Sequence, residues 1–349
     1  MIRFPHRLPA FYLAACSPES LAPKKCTKPA QRRAWHTLRN SEKKAYLDAE
    51  ACVMKTPSKI AIPGARSQFD ELVAIHQLIA LTIHSTGVFL PWHRWYLNLH
   101  EVMLKGCGYT GATPYWDEIR DATLVNIISS AIYDPVTGFG GGGVAPTYCT
   151  TTGPFANYTN SIGPNYLATD GCIGRNFVGN PLREMNATAE ANRCMTLTTY
   201  DEAWVCIYMI PHLAGRISMS SLRPDPLTSP TEPAFYMHHA YVDKMWWDWQ
   251  EKGPPQLTLG GRKTQPAGPR AGLPRDPRQQ GGGVGAHLRG PVGRAAAVDP
   301  GRHGGRTWQR GDAEPHPHFV RPHPRRHIPD ATVRDVMDTR GGYLCYEYV

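Results

Sequence analysis

His84-Ser-Thr-Gly-Val-Phe-Leu-Pro-Trp-His93-Arg94 is the stretch on which the architecture turns. It reads as the joint between two helices. Gly87 interrupts the apolar run that begins at Phe69, and Pro91 suits the first position of a new helix. The periodicity predicts one helix over 69–83 and a second over 91–105. His93 opens the second helix, whose next turns bring Leu97, Glu101 and Leu104 inward. His84 sits in the approaching loop, and His76 lies ~2.2 turns back along the first helix. Three imidazoles thus converge from one helix pair.

A second set lies downstream. His212 falls in a helical candidate over 200–215, and His238-His239 fall in another over 235–251. His239 and Asp243 are four residues apart and share a helix face. A single histidine is more often a satisfied core or surface residue than a ligand. Five at these spacings with aromatic padding (His76, His84, His93, His212 and His239) outweigh that reading. With no thiolate or carboxylate ligand nearby, such a set favours copper, zinc or nickel over magnesium or calcium, and imidazole suits both copper oxidation states. Each ring then needs its second nitrogen held by an acceptor. The metal logic predicts a mainly α fold: two helix pairs, from 76–105 and 203–251, form a four-helix bundle, with long loops and few short strands outside it.

The rest of the chain divides by composition. Residues 1–23 carry an apolar patch, Leu8 to Cys16, behind Arg3 and Arg7, which reads as a marginal signal peptide broken by Pro9. Residues 253–326 hold 15 Gly and 12 Pro with no Ile, Met, Tyr or Cys, a composition expected of disorder or of translation in a wrong frame. That segment carries 13 Lys/Arg against 4 Asp/Glu, and subtracting it from 38 basic and 29 acidic residues leaves 25 of each. The excess of +9 therefore belongs to the segment and not to the fold, and without interleaved aromatics it does not describe a nucleic-acid module. No stretch is long and apolar enough to span a membrane. Nine scattered cysteines with no CxxC pair argue against a cysteine-based zinc site and for disulfides in an oxidising compartment, which favours a secreted protein and leaves an intracellular one open. Their odd number leaves at least one thiol over, and the pairing is open.

These motifs resemble the tyrosinase and catechol oxidase family of type-3 copper proteins. The string from His84 through Phe89, Trp92, His93 and Arg94 to Glu101 is similar to the family's copper A signature. Residues 232–250, "EPAFYMHHAYVDKMWWDWQ", resemble its copper B signature, with Glu232 where the family usually has Asp. "GCGYTGATPYWDE", "TGFGGGG" and the terminal Tyr346-Glu347-Tyr348 resemble short ascomycete members. The likeness covers about 24–252 and 327–349, which it marks as one copper-binding domain and its C-terminal end. It implies two copper ions, with His76, His84 and His93 on copper A and His212 and His239 on copper B. It also implies Phe235 and Leu213 beside a phenol pocket, and a buried Arg94–Asp243 ion pair joining the helix pairs. The implied partners are O2 and a small phenolic substrate, and the implied reaction is oxidation of o-diphenols to o-quinones, extended in tyrosinases to monophenols. Leu213 stands where many monophenol hydroxylases carry Asn, which favours the catechol oxidase reading.

Two departures stand out. The family carries His-x-x-x-His as its first copper B ligands, and here the pair reads His212-Leu-Ala-Gly-Arg216. Ser229-Pro230 follows Arg216 at the family's spacing; the rival alignment, Tyr208 and His212, leaves that spacing unmatched. Arginine keeps its charge and offers no lone pair, so copper B is expected to be weak or absent. The second departure is the segment 253–326, where the family has structured, ordinary sequence; the cysteine of the family's thioether is also absent, and Thr82 stands at its position. Three readings follow: an active di-copper oxidase, a degenerate relative with an impaired copper B site and little activity, and, last, a haemocyanin-like O2 carrier.

Overall fold

The computed structural model describes residues 26–60, 62–163, 169–219, 226–252 and 331–349. The segments 1–23 and 253–326 singled out above lie wholly outside the described residues. The chain is mainly helical, as expected. Strand β1 (Ala30–Arg32) leads to α1 (Asn40–Lys55), α2 (Gln68–Ile83) and α3 (Phe89–Gly106). A loop-rich stretch follows, carrying α4 (Glu118–Asp121), β2 (Thr159–Asn160), β3 (Gly171–Cys172), α5 (Pro181–Glu184) and α6 (Ala187–Cys194). Then come α7 (Tyr200–Met219), α8 (Ala234–Glu251), α9 (Val333–Met337) and β4 (Tyr346–Tyr348). The four-helix core is α2, α3, α7 and α8, with α8 packed on both α3 and α7 and α1 covering α2 and α3.

Local chemistry explains the helix limits. Ser67 caps α2 by accepting from the Asp70 N–H, and the Asp70 carboxylate accepts the Ser67 N–H in return. Helix α3 begins at Phe89, two residues before the expected Pro91 start. Pro91 still lies in the first turn, where its missing N–H costs nothing. Helix α7 runs past the expected residue 215 to Met219 and keeps Pro211 in its interior, which removes one rung of its hydrogen-bond ladder. The interior is dense in aromatics, with Trp35, Trp92, Trp95, Trp116, Trp246, Tyr46, Tyr96 and Tyr236 fully buried. Such rings combine a large apolar area with specific edge and stacked contacts.

One ionic node ties the bundle to both ends of the described chain. The Asp243 carboxylate on α8 accepts Arg94 Nε at 2.5 Å, Arg32 at 3.4 Å, and the hydroxyls of Tyr346 at 2.6 Å and Tyr348 at 2.7 Å. Arg94 also donates to Gln250 and to the carbonyls of Val336 and Met337, and its guanidinium lies 3.7 Å over the Trp246 ring. Arg32 reaches on to Glu101 at 3.0 Å, which also holds Lys105 at 2.6 Å. β1 and β4 pair in parallel, Ala30 with Tyr346 and Arg32 with Tyr348. Disulfides Cys26–Cys345, Cys52–Cys107, Cys149–Cys172 and Cys194–Cys206 staple the strands, α1 to α3, the outer loops, and α6 to α7. They account for eight of the nine cysteines; the ninth, Cys16, lies outside the described residues.

Replacing Asp243 by Asn should lower the unfolding free energy by about 3–5 kcal/mol, because buried Arg94 loses its counter-charge and Arg32 keeps only Glu101. Urea titration of wild type and Asp243→Asn measures this. Burial alone would raise the Glu101 carboxyl, but Arg32 and Lys105 override it and hold it at about 2. Its folded value lies below its ordinary value of 4.5, so the unfolded chain takes up the extra proton in acid. The Glu101 contribution is complete above about 4.5 and is lost as pH falls toward about 2. Glu101→Gln should flatten that part of the stability profile in urea melts run across the acid range.

Candidate metal centre

The two helix pairs bring six imidazoles together. His76 comes from α2, His84 is the residue that caps the C-terminal end of α2, and His93 lies in the second turn of α3. Their ligand-capable atoms lie within 4.8 Å of one another, as do those of His212, His238 and His239 from α7 and α8. His93 stacks on His239 with ring centroids 4.2 Å apart and planes 8° from parallel, so the two triads face each other.

The outer nitrogens decide what the inner ones can do. His84 Nδ1 bonds the Ala80 carbonyl at 2.7 Å, His93 Nδ1 the Phe89 carbonyl at 2.8 Å, and His212 Nδ1 the Tyr208 carbonyl at 3.2 Å. His76 Nδ1 bonds the Leu227 carbonyl at 3.0 Å. A carbonyl only accepts, so each Nδ1 carries the proton and each Nε2 keeps a lone pair. Among the described residues, the Nε2 atoms of His76, His93, His212, His238 and His239 are buried without a partner. Buried polar atoms are rarely left so, and five around one centre call for a cation. The donor set fits copper, since the donors are neutral imidazole nitrogens and backbone carbonyls fix the tautomers of His76, His84, His93 and His212 from behind.

Burial pushes every one of these rings below the ordinary histidine range, His76 and His238 to about 3 and His84 to about 4. They are therefore neutral at physiological pH, the state a metal needs. The positive charge of Arg216 depresses His76, His84, His212 and His238 further. Arg216 thus lies within electrostatic reach of both triads, half-buried on α7 one turn beyond His212. Burial, with Asp121 and Asp117 nearby, pushes the Glu118 carboxyl well above its ordinary range.

The remaining expected residues fall as follows. Phe235 is buried, 4.2 Å from the His239 ring and 5.5 Å from His76. Leu213 is half-buried beside His212, and Arg94 and Asp243 form the ion pair described above. Tyr208 stacks on His212 and shares a hydrogen bond with Ser85 at 3.0 Å. Thr82 is exposed and donates to the Ile79 carbonyl. Sequence reasoning missed three residues. His238, passed over in favour of His239, brings a ligand-capable nitrogen to the second cluster while its Nδ1 meets Glu118 Oε1 at 2.6 Å and its Nε2 is buried without a partner among the described residues. Glu118 lay in the quoted "PYWDE" string without a role, because its partner is 120 residues away. Arg175 makes a bidentate pair with Glu232 at 2.7 Å and donates to the carbonyls of Phe139 and Gly140, pinning the glycine loop to the start of α8. The longer Glu232 side chain reaches Arg175 and still accepts the Ala234 N–H.

Comparison with known proteins agrees with this geometry. Residues 66–252 match the family model described as the common central domain of tyrosinase. The tyrosinase-like protein phomQ1 of Diaporthe leptostromiformis is 32% identical over 93% of this chain and 79% of its own. Tyrosinase ustQ of Aspergillus flavus is 30% identical over 93% of this chain and 80% of its own. A variant polyphenol oxidase from Thermothelomyces thermophila superposes with a TM-score of 0.70 at 25% identity, covering 94% of this chain and 91% of that one.

Phe89 is the ring shared by both triads, 4.5 Å from His93 and 4.9 Å from His212. Phe89→Ala should cost the metal-free protein about 3–5 kcal/mol of stability, measured by guanidinium unfolding after chelation.

Proposed function

The chain belongs to the tyrosinase family, and from that premise we propose that it is a type-3 copper oxidase converting o-diphenols to o-quinones with O2. The observation that carries this reading is the pair of facing imidazole triads, in which backbone carbonyls hold Nδ1 of His76, His84, His93 and His212 and so leave their Nε2 lone pairs for a metal. Bound copper would supply the redox couple and O2 affinity that no side chain has. The chain's own residues hold and orient. His76, His84 and His93 would hold one ion, and His212 and His239 would serve the other.

Phe89, Trp92 and Phe235 are buried around the rings and keep water from them. His84 is the least covered of the six histidines, and exposed Ser85 lies next to it with half-buried Tyr208 against it, so a phenol would enter on that side. Leu213 beside His212 supports diphenols over monophenols as substrates. Four disulfides support action in an oxidising compartment after export.

A second reading, a relative with an impaired second site, is favoured by one residue. Arg216 places a fixed positive charge near both triads, where it opposes a second cation. Copper-loaded protein should consume O2 with catechol. Arg216→His should raise that rate by about tenfold or more, since it removes the cation and adds an imidazole. Oxygen-electrode traces that show no catechol oxidation by either form would sink the oxidase reading. A rate confined to Arg216→His would favour the impaired reading for the natural chain.

A further inference from the structure

We propose that His238 is the third ligand of the second metal site, standing in for the imidazole missing at Arg216, and that Glu118 is its positioning residue. The proposal rests on the copper reading above. Neighbouring residues on a helix point ~100° apart, so adjacent histidines do not ordinarily serve one ion. Here they do converge. His238 and His239 have ring planes 71° apart and centroids 4.9 Å apart, and with His212 their ligand atoms lie within 4.8 Å of one another.

Three observations separate this from an incidental buried histidine. His238 is fully buried, and its Nε2 has no partner among the described residues. Its Nδ1 meets the buried Glu118 carboxyl at 2.6 Å, the carboxylate–histidine arrangement that orients metal-bound rings. Finally, α7 crosses the pair with a glycine. A Cβ on Gly215 would come within 2.4 Å of His238 Nδ1 and of Glu118 Oε2. Backbone is thus drawn to the ring at the residue next to Arg216, on the turn where the missing ligand would stand. His76, His84 and His93 need no such help, since their triad is complete.

Copper stoichiometry tests this without relying on turnover. Purified chain is loaded with Cu(II), dialysed against graded chelator and assayed by elemental analysis and electron paramagnetic resonance. Wild type should hold two coppers per chain and release one first, because Arg216 opposes it. His238→Ala should hold one. Arg216→His combined with His238→Ala should hold two again, which a merely structural role for His238 would not produce. Glu118→Gln should weaken the second copper by about 10–100-fold. Where His238→Ala fails to fold by circular dichroism, His238→Gln keeps a donor for Glu118 and serves in its place.

Two coppers in a folded His238 variant with Arg216 intact would overturn the proposal while sparing the oxidase reading. So would a wild type that never exceeds one copper while Arg216→His takes two. If Arg216→His also stops short of two, the two-copper reading itself falls.

Discussion

The Asp243 carboxylate is the constraint from which the rest of the molecule hangs. Two guanidiniums and two phenols converge on its two oxygens in a space closed to water. Buried charges of this kind contribute little net stability but strongly penalise any arrangement that separates them. Arg94 follows His93 directly, and Asp243 sits one turn after His239. Locking Arg94 to Asp243 therefore sets the register of α3 against α8, and that register lays the His93 ring flat on His239. The same carboxylate holds the closing tyrosines and, through Arg32, the first strand. Metal geometry and chain closure thus depend on one acidic side chain.

Around the centre, order is built from behind. Three of the histidines donate Nδ1–H to the carbonyl four residues earlier, an acceptor that the backbone supplies whatever the side chain there. The rings are therefore aimed before any metal arrives, and little reorganisation is left for binding. Neutrality follows from burial, and the opposing element is Arg216, whose charge cannot be removed by protonation equilibria.

This division also explains what could be read from the chain alone. The helix joint at 84–93 and the Arg94–Asp243 pair are short-range or motif-borne, and the four helices lie where the periodicity puts them. Bounds were less legible. Helix α3 starts before Pro91 because a proline is tolerated anywhere in the first turn, and α7 passes Pro211 because tertiary packing outweighs one lost hydrogen bond. Contacts across the sequence that no motif carries were not legible. The Leu227 carbonyl on His76, Glu118 on His238 and Glu232 on Arg175 each join segments 57 to 151 residues apart. Nothing in local pattern announces them, so His238 read as a bystander to His239.

The Cys26–Cys345 bridge has a consequence for processing. It joins residues 319 apart in sequence, next to the strand pair that seats Tyr346 and Tyr348 on Asp243. A protease cutting the backbone between α8 and α9 would leave two polypeptides still linked by sulfur, with the C-terminal piece held in its groove. Such a nicked molecule would run as one species on a non-reducing gel and as two once the thiols are freed.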